Sequence, residues 1–187
     1  HRLFRRQRQM CIRDRETTKE ILSQLKPAFK PDGVITAGNS SQISDGAAAL
    51  LLVSEDILNK FNLEPIAKIR SMAVVGTDPV LMLSGPIPAT RKALDQAKLK
   101  PEDINLAEIN EAFSSVVGAW RKEFPEINYE NVNANGGSIA IGHPLGATGA
   151  RLMTNLIHEM KRNKLKYGLQ AICEGGGTAN ATIVELV

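Results

Sequence analysis

Residues 132–162 have the sequence VNANGGSIAIGHPLGATGARLMTNLIHEMKR, which contains the parts of a strand–loop–helix unit. Val132 to Ala134 is predicted to form a short strand, and a glycine-rich loop follows from Asn135 to Gly149. Apolar residues recur at helical spacing from Ala147 to Arg162, which predicts a long amphipathic helix. A strand that leads through such a loop into a helix is typical of α/β proteins.

Similar units surround this stretch and predict the element order βαβαβαββ. The predicted strands cover residues 66–75, 104–109, 132–134, 169–173 and 182–187, and the predicted helices begin near Pro88, at Glu111 and at Ala147. Strands joined by helices predict a mostly parallel sheet covered by helices. The last two strands are joined through three glycines without a helix, so we expect them to be antiparallel.

The residues before 61 are predicted to be the end of another domain of similar type, which precedes the βαβαβαββ domain in the chain. Residues 16–30 have the pattern of an amphipathic helix broken by prolines. The apolar run from Ala47 to Val53 favours a strand buried on both faces, although periodicity leaves a buried helix open. Ser54 is expected to cap a short helix. We assign residues 16–60 to the first domain and residues 61–187 to the second.

Basic residues are concentrated at the start of the chain. The net charge is +3, but residues 1–15 hold six of the 23 basic residues and one of the 20 acidic ones, so residues 16–187 carry −2. This acidic body predicts no nucleic-acid-binding face. We interpret residues 1–15 as a non-native tail, because residues 10–15 resemble translated sequencing-adapter sequence. A transit peptide and a basic interaction arm are the alternatives.

The cysteine count and the hydropathy pattern predict a reduced, soluble, cytoplasmic protein. Cys11 and Cys173 are the two cysteines, which make no plausible disulfide framework. No Cys/His cluster has metal-ligand spacing, so we expect no metal site. No apolar run is long enough to cross a bilayer, so we expect no membrane contact.

Candidate catalytic residues follow three predicted strands. In open α/β sheets, reactive groups gather in loops beyond the carboxyl ends of the strands. Asn110 follows the strand at 104–109, His143 lies in the glycine-rich loop, and Cys173 ends the strand at 169–173. We therefore expect these three side chains to meet at one edge of the sheet.

His143 is a candidate base. It lies shortly before a predicted helix, whose N-terminal field lowers the pKa of an imidazole and favours its neutral form. A phosphate-binding loop or a structural histidine is the alternative. The glycine spacing does not match the fingerprint G-x-G-x-x-G, so no nicotinamide cofactor is expected.

Cys173 is followed by Glu174 and three glycines, whose backbone N–H groups are suited to holding an oxyanion. A free cysteine, a histidine and bare amides together indicate acyl-thioester chemistry. Two alternatives stay open at this point. Cys173 could be a small apolar residue at the end of a buried strand, and Asn110 could cap the following helix.

Three ordered segments resemble the C-terminal signatures of the thiolases: Asn110-Glu-Ala-Phe113, Gly142-His-Pro-Leu-Gly-Ala-Thr-Gly149 and Cys173-Glu-Gly-Gly-Gly177. Residues 39–49 and 85–89 also resemble thiolase segments, so the resemblance extends from about Thr36 to Val187. It implies the thiolase-like α/β fold. It also implies thiolytic cleavage of a 3-ketoacyl-CoA to acetyl-CoA and a shortened acyl-CoA, or the reverse Claisen condensation, in fatty-acid β-oxidation. Coenzyme A would be a substrate, with no permanently bound cofactor.

The resemblance implies roles for single residues. His143 would activate the nucleophilic cysteine and would contribute to an oxyanion hole, together with a water held by Asn110. Cys173 would move the proton at the α-carbon and would activate the CoA thiol. The Gly175 amide would bind the second thioester oxyanion. The pantetheine channel would be lined by Ser41, Ala112 and Phe113.

The sequence departs from the thiolase pattern in two respects. The family's nucleophilic cysteine lies in its N-terminal half, and the surroundings of Cys11 do not match that motif. We therefore expect the 187-residue chain alone to be inactive. Gln42 stands where relatives often have glycine, beside the serine expected to contact CoA.

Other functions remain to be weighed. Ketoacyl synthases have the same fold but use two histidines, and here Cys173 stands at the place of the second. Thiolase-like lipid-carrier enzymes tend to replace the Asn-Glu-Ala-Phe segment with a histidine-containing one. A non-catalytic acyl-CoA-binding subunit is the alternative in which the protein is not an enzyme.

Within the thiolases, Glu174 and the ending from Ala179 to Glu185 favour degradative members over acetoacetyl-CoA thiolases. The resemblance implies a homodimer or homotetramer.

Overall fold

The computed structural model describes residues 17–187, which contain a four-stranded sheet and its covering helices. The strands are β1 (Ala67–Gly76), β2 (Leu106–Ile109), β3 (Tyr167–Cys173) and β4 (Thr178–Leu186). The helices are α1 (Lys19–Ser23), α2 (Glu55–Phe61), α3 (Pro86–Ala97), α4 (Ser114–Glu123), α5 (Ser138–Ile141) and α6 (Thr148–Asn163). Short 3-10 turns cover Pro101–Asp103, Tyr129–Asn131 and Gly175–Gly177.

The sheet is mixed, with the strand order β1-β4-β3-β2. β2 pairs with β3 in parallel, whereas β4 is antiparallel to both β1 and β3. The α/β class and the antiparallel last pair are confirmed. The prediction of a mostly parallel sheet was wrong for the pairings. Three strands do run in one direction, but β4 lies between β1 and β3 and makes both of its ladders antiparallel.

Side chains along each strand alternate between the two faces of the sheet. Each face carries apolar side chains, and helices cover both of them. On one face, α3 packs through Ala89 and Ala93 against Ala107 and Ile183. On the other face, Leu156 and Met160 of α6 pack against Leu106 and Val184. A side chain at Gly168 would collide with Met160, so glycine there lets α6 approach β3 closely.

The segment before residue 61 departs from the predictions. Residues 47–53 form no strand, and Leu51 is 82% exposed. A strand needs a neighbouring strand to pair its backbone groups, and within residues 17–187 none lies beside this run. The helix predicted over 16–30 is limited to Lys19–Ser23. Pro27 explains its early end, because proline disfavours a helical conformation in the preceding residue. The short helix capped by Ser54 is present as α2.

Several observed strand and helix boundaries also differ from the predicted ones. The strand predicted at 132–134 is a single parallel bridge between Ala107 and Val132. The predicted helix at Glu111 begins at Ser114, because Phe113, directly before it, has an extended backbone. The interpretation of residues 1–15 as a non-native tail concerns residues outside the described ones. In the described part, no helix has the length and apolar character needed to cross a membrane.

Candidate active site

The parallel pair β2 and β3 brings two of the predicted residues to one edge of the sheet. Ile109 lies opposite Ala171 in the ladder, and the Asn110 N–H donates to the Ala171 carbonyl at 2.9 Å. Cys173 ends β3 two residues further on. The register brings the ends of the two strands to one edge of the sheet, and Asn110 Nδ2 lies 4.0 Å from Cys173 Sγ there, as the sequence predicted.

A tight loop delivers His143 to the same edge. The short helix α5 ends at Ile141, and the next residue, Gly142, has φ 88°, a conformation that glycine adopts without strain. The His143 N–H then donates to the Gln42 carbonyl at 2.8 Å. This bond and the parallel bridge between Ile43 and His143 fasten the loop to the segment around residue 42.

Asn110 connects the three predicted catalytic residues. Its amide nitrogen lies 3.5 Å from His143 Nε2 and 4.0 Å from Cys173 Sγ. The Ser138 hydroxyl donates to Asn110 Oδ1 at 2.8 Å. Because that oxygen is engaged as an acceptor, the NH₂ group must face His143 and Cys173. Asn110 is 1% exposed, so this orientation is fixed inside the protein.

The alternative role of Asn110 as a helix cap was wrong. Helix α4 begins at Ser114, and its N-cap is Phe113, which has no side-chain hydrogen bond. The Asn110 side chain points to the other two predicted site residues instead.

The hydrogen bonds of His143 define its tautomer. His143 Nδ1 lies 2.7 Å from Thr148 Oγ1, and the Thr148 hydroxyl donates to the Pro144 carbonyl at 2.9 Å. A hydroxyl has one hydrogen, so Thr148 accepts from His143 and Nδ1 carries the proton. Nε2 of the neutral ring is then an unprotonated base that faces Asn110.

Burial shifts both titrating groups of the site. Burial, and after it the positive charge of Arg151, lowers the pKa of His143. The sequence attributed this lowering to the following helix, but α6 begins only at Thr148 and burial is the leading cause. Burial raises the pKa of the Cys173 thiol, with the Asn110 hydrogen bond acting in the opposite direction. At neutral pH the site therefore contains a neutral imidazole and a protonated thiol.

Glu111 and Asn133 support the site from behind. Asn133 bonds to both backbone groups of Ile109, at 2.8 and 2.9 Å, and donates to the Glu111 carboxylate at 2.8 Å. Glu111 also accepts from the Ile139 N–H at 3.1 Å. The Asn133 side chain thus takes the place of a neighbouring strand at the end of β2, which explains why the predicted strand at 132–134 does not extend.

The comparison with known protein families decides the family. The model described as thiolase, C-terminal domain, matches residues 63–186, and the model described as thiolase, N-terminal domain, matches residues 8–56. The chain belongs to the thiolase family. The three signature segments of this thiolase chain are the segments that carry Asn110, His143 and Cys173.

Curated relatives of this thiolase chain include 3-ketoacyl-CoA thiolases. It is 52% identical over 171 residues to the steroid 3-ketoacyl-CoA thiolase FadA6 of Mycobacterium tuberculosis, covering 91% of this chain and 42% of that protein. It is 49% identical over 171 residues to the 3-ketoacyl-CoA thiolase of Bacillus subtilis, covering 91% of this chain and 44% of that protein. The chain thus spans less than half of the length of these relatives.

Solved structures of thiolases have the same fold. The Bacillus anthracis acetyl-CoA acetyltransferase matches with a TM-score of 0.88 at 45% identity, over 92% of this chain and 43% of that one. The human mitochondrial 3-ketoacyl-CoA thiolase in complex with CoA matches with a TM-score of 0.84 at 38% identity, over the same shares. These likenesses confirm the predicted thiolase-like fold.

The structure also brings together residues that the resemblance assigned to the pantetheine channel. The Ser41 N–H donates to the Ala112 carbonyl at 3.0 Å, and Ser40 forms an isolated bridge with Phe113. Gly175 lies in the exposed turn after β3. In residues 17–187, no group of three or more acidic, histidine or cysteine side chains could hold a metal ion.

Sequence analysis missed the residues that orient the predicted ones. Ser138 and Thr148 lie in the quoted glycine-rich loop, but a hydroxyl gives no pattern that distinguishes orientation from solvation. Glu108 was detectable, because a carboxylate inside the apolar strand 104–109 is unusual.

Proposed function

We propose that the complete thiolase to which this chain belongs cleaves a 3-ketoacyl-CoA with coenzyme A, giving acetyl-CoA and a shortened acyl-CoA, or catalyses the reverse condensation. The observation that supports this most directly is the position of the Asn110 amide, 3.5 Å from His143 Nε2 and 4.0 Å from Cys173 Sγ. A base, a hydrogen-bond donor and a thiol acid within one corner of the protein are the groups that this reaction needs.

His143 is proposed as the base that activates the nucleophile. Its lowered pKa keeps the ring neutral at physiological pH, and Thr148 leaves the lone pair on Nε2. Nε2 takes the proton from the nucleophilic thiol, whose sulfur attacks the keto carbon of the substrate. The resulting imidazolium can then donate to an oxygen that gains negative charge.

Cys173 is proposed as the acid and base at the α-carbon. When the bond between the α-carbon and the keto carbon breaks, the electron pair stays on the acetyl-CoA part as an enolate. The Cys173 thiol donates its proton to that carbon, and acetyl-CoA leaves. The Cys173 thiolate then takes the proton of the second CoA thiol, whose sulfur attacks the acyl-enzyme and releases the shortened acyl-CoA. The raised pKa of Cys173 keeps it protonated before the first transfer.

Asn110 and Gly175 are proposed to stabilise the oxyanions. The Asn110 NH₂ group is held towards the reacting corner by Ser138 and donates there, directly or through a water. Removal of one such donor costs about 2.7–4 kcal/mol in comparable oxyanion holes. Gly175 is proposed to offer its backbone N–H to the other thioester oxygen. Ser41, Ala112 and Phe113 are proposed to line the channel for the CoA arm.

The nucleophile is proposed to come from the N-terminal half of the complete thiolase. Cys173 is the free cysteine of the described residues, and it has the acid/base position. The chain by itself is therefore predicted to be inactive. The non-catalytic subunit is the alternative from another class, and the oriented network around Asn110 favours catalysis. A cytoplasmic location and a homodimer or homotetramer stay predictions.

Two substrates that differ in acyl chain length are candidates for the complete thiolase. Relatives named 3-ketoacyl-CoA thiolase favour degradation of longer substrates in β-oxidation. The likeness to the acetyl-CoA acetyltransferase of Bacillus anthracis, at 45% identity, favours acetoacetyl-CoA as the second candidate. Cleavage rates on acetoacetyl-CoA and on longer 3-ketoacyl-CoAs separate the two. Turnover of acetoacetyl-CoA with rejection of longer substrates would overturn the first candidate.

The catalytic roles are tested in the complete thiolase with three variants. His143→Ala and Cys173→Ala are expected to abolish CoA-dependent cleavage, whereas His158→Ala is expected to retain it. His158 is the matched control, because it lies exposed on α6, away from Asn110. Wild-type rates in both His143→Ala and Cys173→Ala would contradict the proposed function.

A further inference from the structure

Arg151 joins helix α6 to the loop that carries His143. It lies in the first turn of α6, and its Nη1 group donates to the Gly142 carbonyl at 2.7 Å and to the Ile141 carbonyl at 3.2 Å. Gly142 directly precedes His143 and has φ 88°. One guanidinium therefore holds both backbone oxygens at the sharp turn that aims His143.

Glu108 lies in β2 with its carboxyl group fully enclosed, and the charge of Arg151 lowers its pKa against the larger effect of burial. It is 0% exposed and belongs to the face of β2 that α6 covers, since it alternates with the α3-facing residues Ala107 and Ile109. Among the described residues, neither carboxyl oxygen has a hydrogen-bond partner, and the same holds for Nε and Nη2 of Arg151. An enclosed carboxyl and a guanidinium with two unpaired nitrogens are not explained by packing, because burying such groups without partners is costly.

We propose that Arg151 is a positioning residue for His143, which fixes the His143 loop through two carbonyls and directs its positive charge at the imidazole, while the buried Glu108 stays neutral and leaves that charge uncancelled. This role rests on the proposed function, because it concerns the histidine assigned there as the base. It goes beyond that function, since neither Arg151 nor Glu108 touches a reacting atom.

The charge states make the proposed arrangement effective. Burial, aided by the negative charges of Glu111 and Glu159 and opposed by Arg151, raises the pKa of Glu108 to about 8. In the pH range where His143 titrates, Glu108 is therefore mostly neutral and does not cancel the charge of Arg151. That charge disfavours imidazolium and adds to the effect of burial on the pKa of His143. The Cys173 thiol, also near the ring, is uncharged in this range.

The orientation of the loop is the second consequence. The His143 N–H donates to the Gln42 carbonyl, and the ring bonds to Thr148 on the same turn of α6 that carries Arg151. Loss of the Arg151 contacts should release the two carbonyls and let the Gly142 turn open. Arg151 is then expected to slow the exchange of the His143 amide hydrogen as well as lower the ring pKa.

The test measures His143 by NMR in the 187-residue chain, which has three histidines, His1, His143 and His158. Arg151→Met removes the charge at similar length, and Arg151→Lys keeps the charge but replaces the planar group. Arg162→Met is the matched control, because Arg162 lies at the exposed end of the same helix and pairs with Glu159. Dispersed amide spectra identify folded variants.

The proposal makes distinct predictions for each variant. Arg151→Met is expected to raise the His143 pKa and to speed exchange of its amide hydrogen. Arg151→Lys is expected to keep the pKa low while exchange becomes faster, and Arg162→Met is expected to change neither. Glu108→Gln is expected to remove a second inflection near pH 8 from the His143 resonance, because burial raises the pKa of Glu108 to about 8.

Two results would overturn the proposal. One is an unchanged His143 pKa in folded Arg151→Met. The other, which also decides the matter if Arg151→Met does not fold, is unchanged amide exchange in Arg151→Lys. These measurements need no turnover, so their failure is distinguishable from failure of the proposed function, which the His143→Ala and Cys173→Ala assays test in the complete thiolase.

Discussion

Thr148 accepts the Nδ1 proton of His143 across 2.7 Å while its own hydroxyl hydrogen bonds to the Pro144 carbonyl. This relationship fixes which ring nitrogen is basic. It also explains why a threonine stands at the first residue of α6, where it is 1% exposed. A buried hydroxyl with both its donor and its acceptor capacity used has a single orientation.

Replacing Thr148 with valine is expected to weaken the preference of His143 for the tautomer that is protonated on Nδ1. Valine keeps the shape but lacks the hydroxyl, so protonation of Nε2 becomes competitive. We expect a larger fraction of the Nε2–H tautomer by ¹⁵N NMR of the ring. In the complete thiolase, kcat should fall about tenfold, corresponding to about 1.4 kcal/mol.

Thr154→Val is the matched control for Thr148→Val. Thr154 lies on the same helix, but its hydroxyl donates to the Ala150 carbonyl and does not contact His143. A tautomer ratio in Thr148→Val equal to that in Thr154→Val would contradict the role of the Thr148 hydroxyl.

Ser138→Ala is expected to free the amide group of Asn110. Without the Ser138 hydroxyl, Asn110 Oδ1 loses the hydrogen bond that engages it, and the NH₂ group is no longer held towards His143. An unpaired buried acceptor costs about 1–3 kcal/mol, so we expect the free energy of unfolding to fall by that amount. Urea denaturation measures the loss, and Ser115→Ala, at an exposed position of α4, is the control. Equal stability of the two variants would contradict this assignment.

Alkylation of Cys173 is expected to be slow at neutral pH. Burial raises the pKa of the thiol above its ordinary value of 9.0, and the thiolate is the reactive form. In a Cys11→Ser background, the rate with iodoacetamide should rise steeply above pH 9. Asn110→Ala should raise the pKa further, because the hydrogen bond from Asn110 favours the thiolate. A rate that levels off below pH 8 would contradict the raised pKa.

The stability of the protein is expected to depend on the protonation of Glu108. In the unfolded chain the carboxyl has its ordinary pKa of 4.5, and burial raises the pKa in the folded protein to about 8. The stabilisation that protonation provides is complete below pH 4.5 and is lost as the pH rises through about 8. The free energy of unfolding should fall by up to about 1.4 kcal/mol per pH unit across this window.

Glu108→Gln removes this dependence, because glutamine copies the neutral carboxyl without ionising. Urea unfolding between pH 5 and 8.5 should give a flatter profile for Glu108→Gln than for the parent. Glu126→Gln, at an exposed position, should keep the parental slope. Parallel profiles for all three proteins would show that Glu108 does not titrate in this window.

The sequence predicted the position of the site better than the pairing of the sheet. Asn110, His143 and Cys173 each follow a local strand or glycine signal, so their meeting at one edge was predictable. The place of β4 between β1 and β3 depends on long-range pairing, which local periodicity does not specify. The run from Ala47 to Val53 has the composition of a buried strand, but pairing requires a neighbour that residues 17–187 do not provide.

The orienting residues were beyond sequence analysis for a different reason. Ser138 and Thr148 act through hydroxyl directions, which depend on the three-dimensional path of the loop. Arg151 lies only eight positions from His143, but its contact with the Gly142 carbonyl follows from the bend at Gly142 and not from helical spacing.

The proposed mechanism requires Cys173 to move the proton at the α-carbon while Asn110 and His143 stabilise the charge that forms. The most direct measurement is deuterium incorporation into the acetyl methyl group of acetyl-CoA, incubated in D₂O with the complete thiolase. We expect deuterium incorporation with the parent and with His158→Ala, and none above background with Cys173→Ala. Incorporation by Cys173→Ala at the parental rate would contradict it.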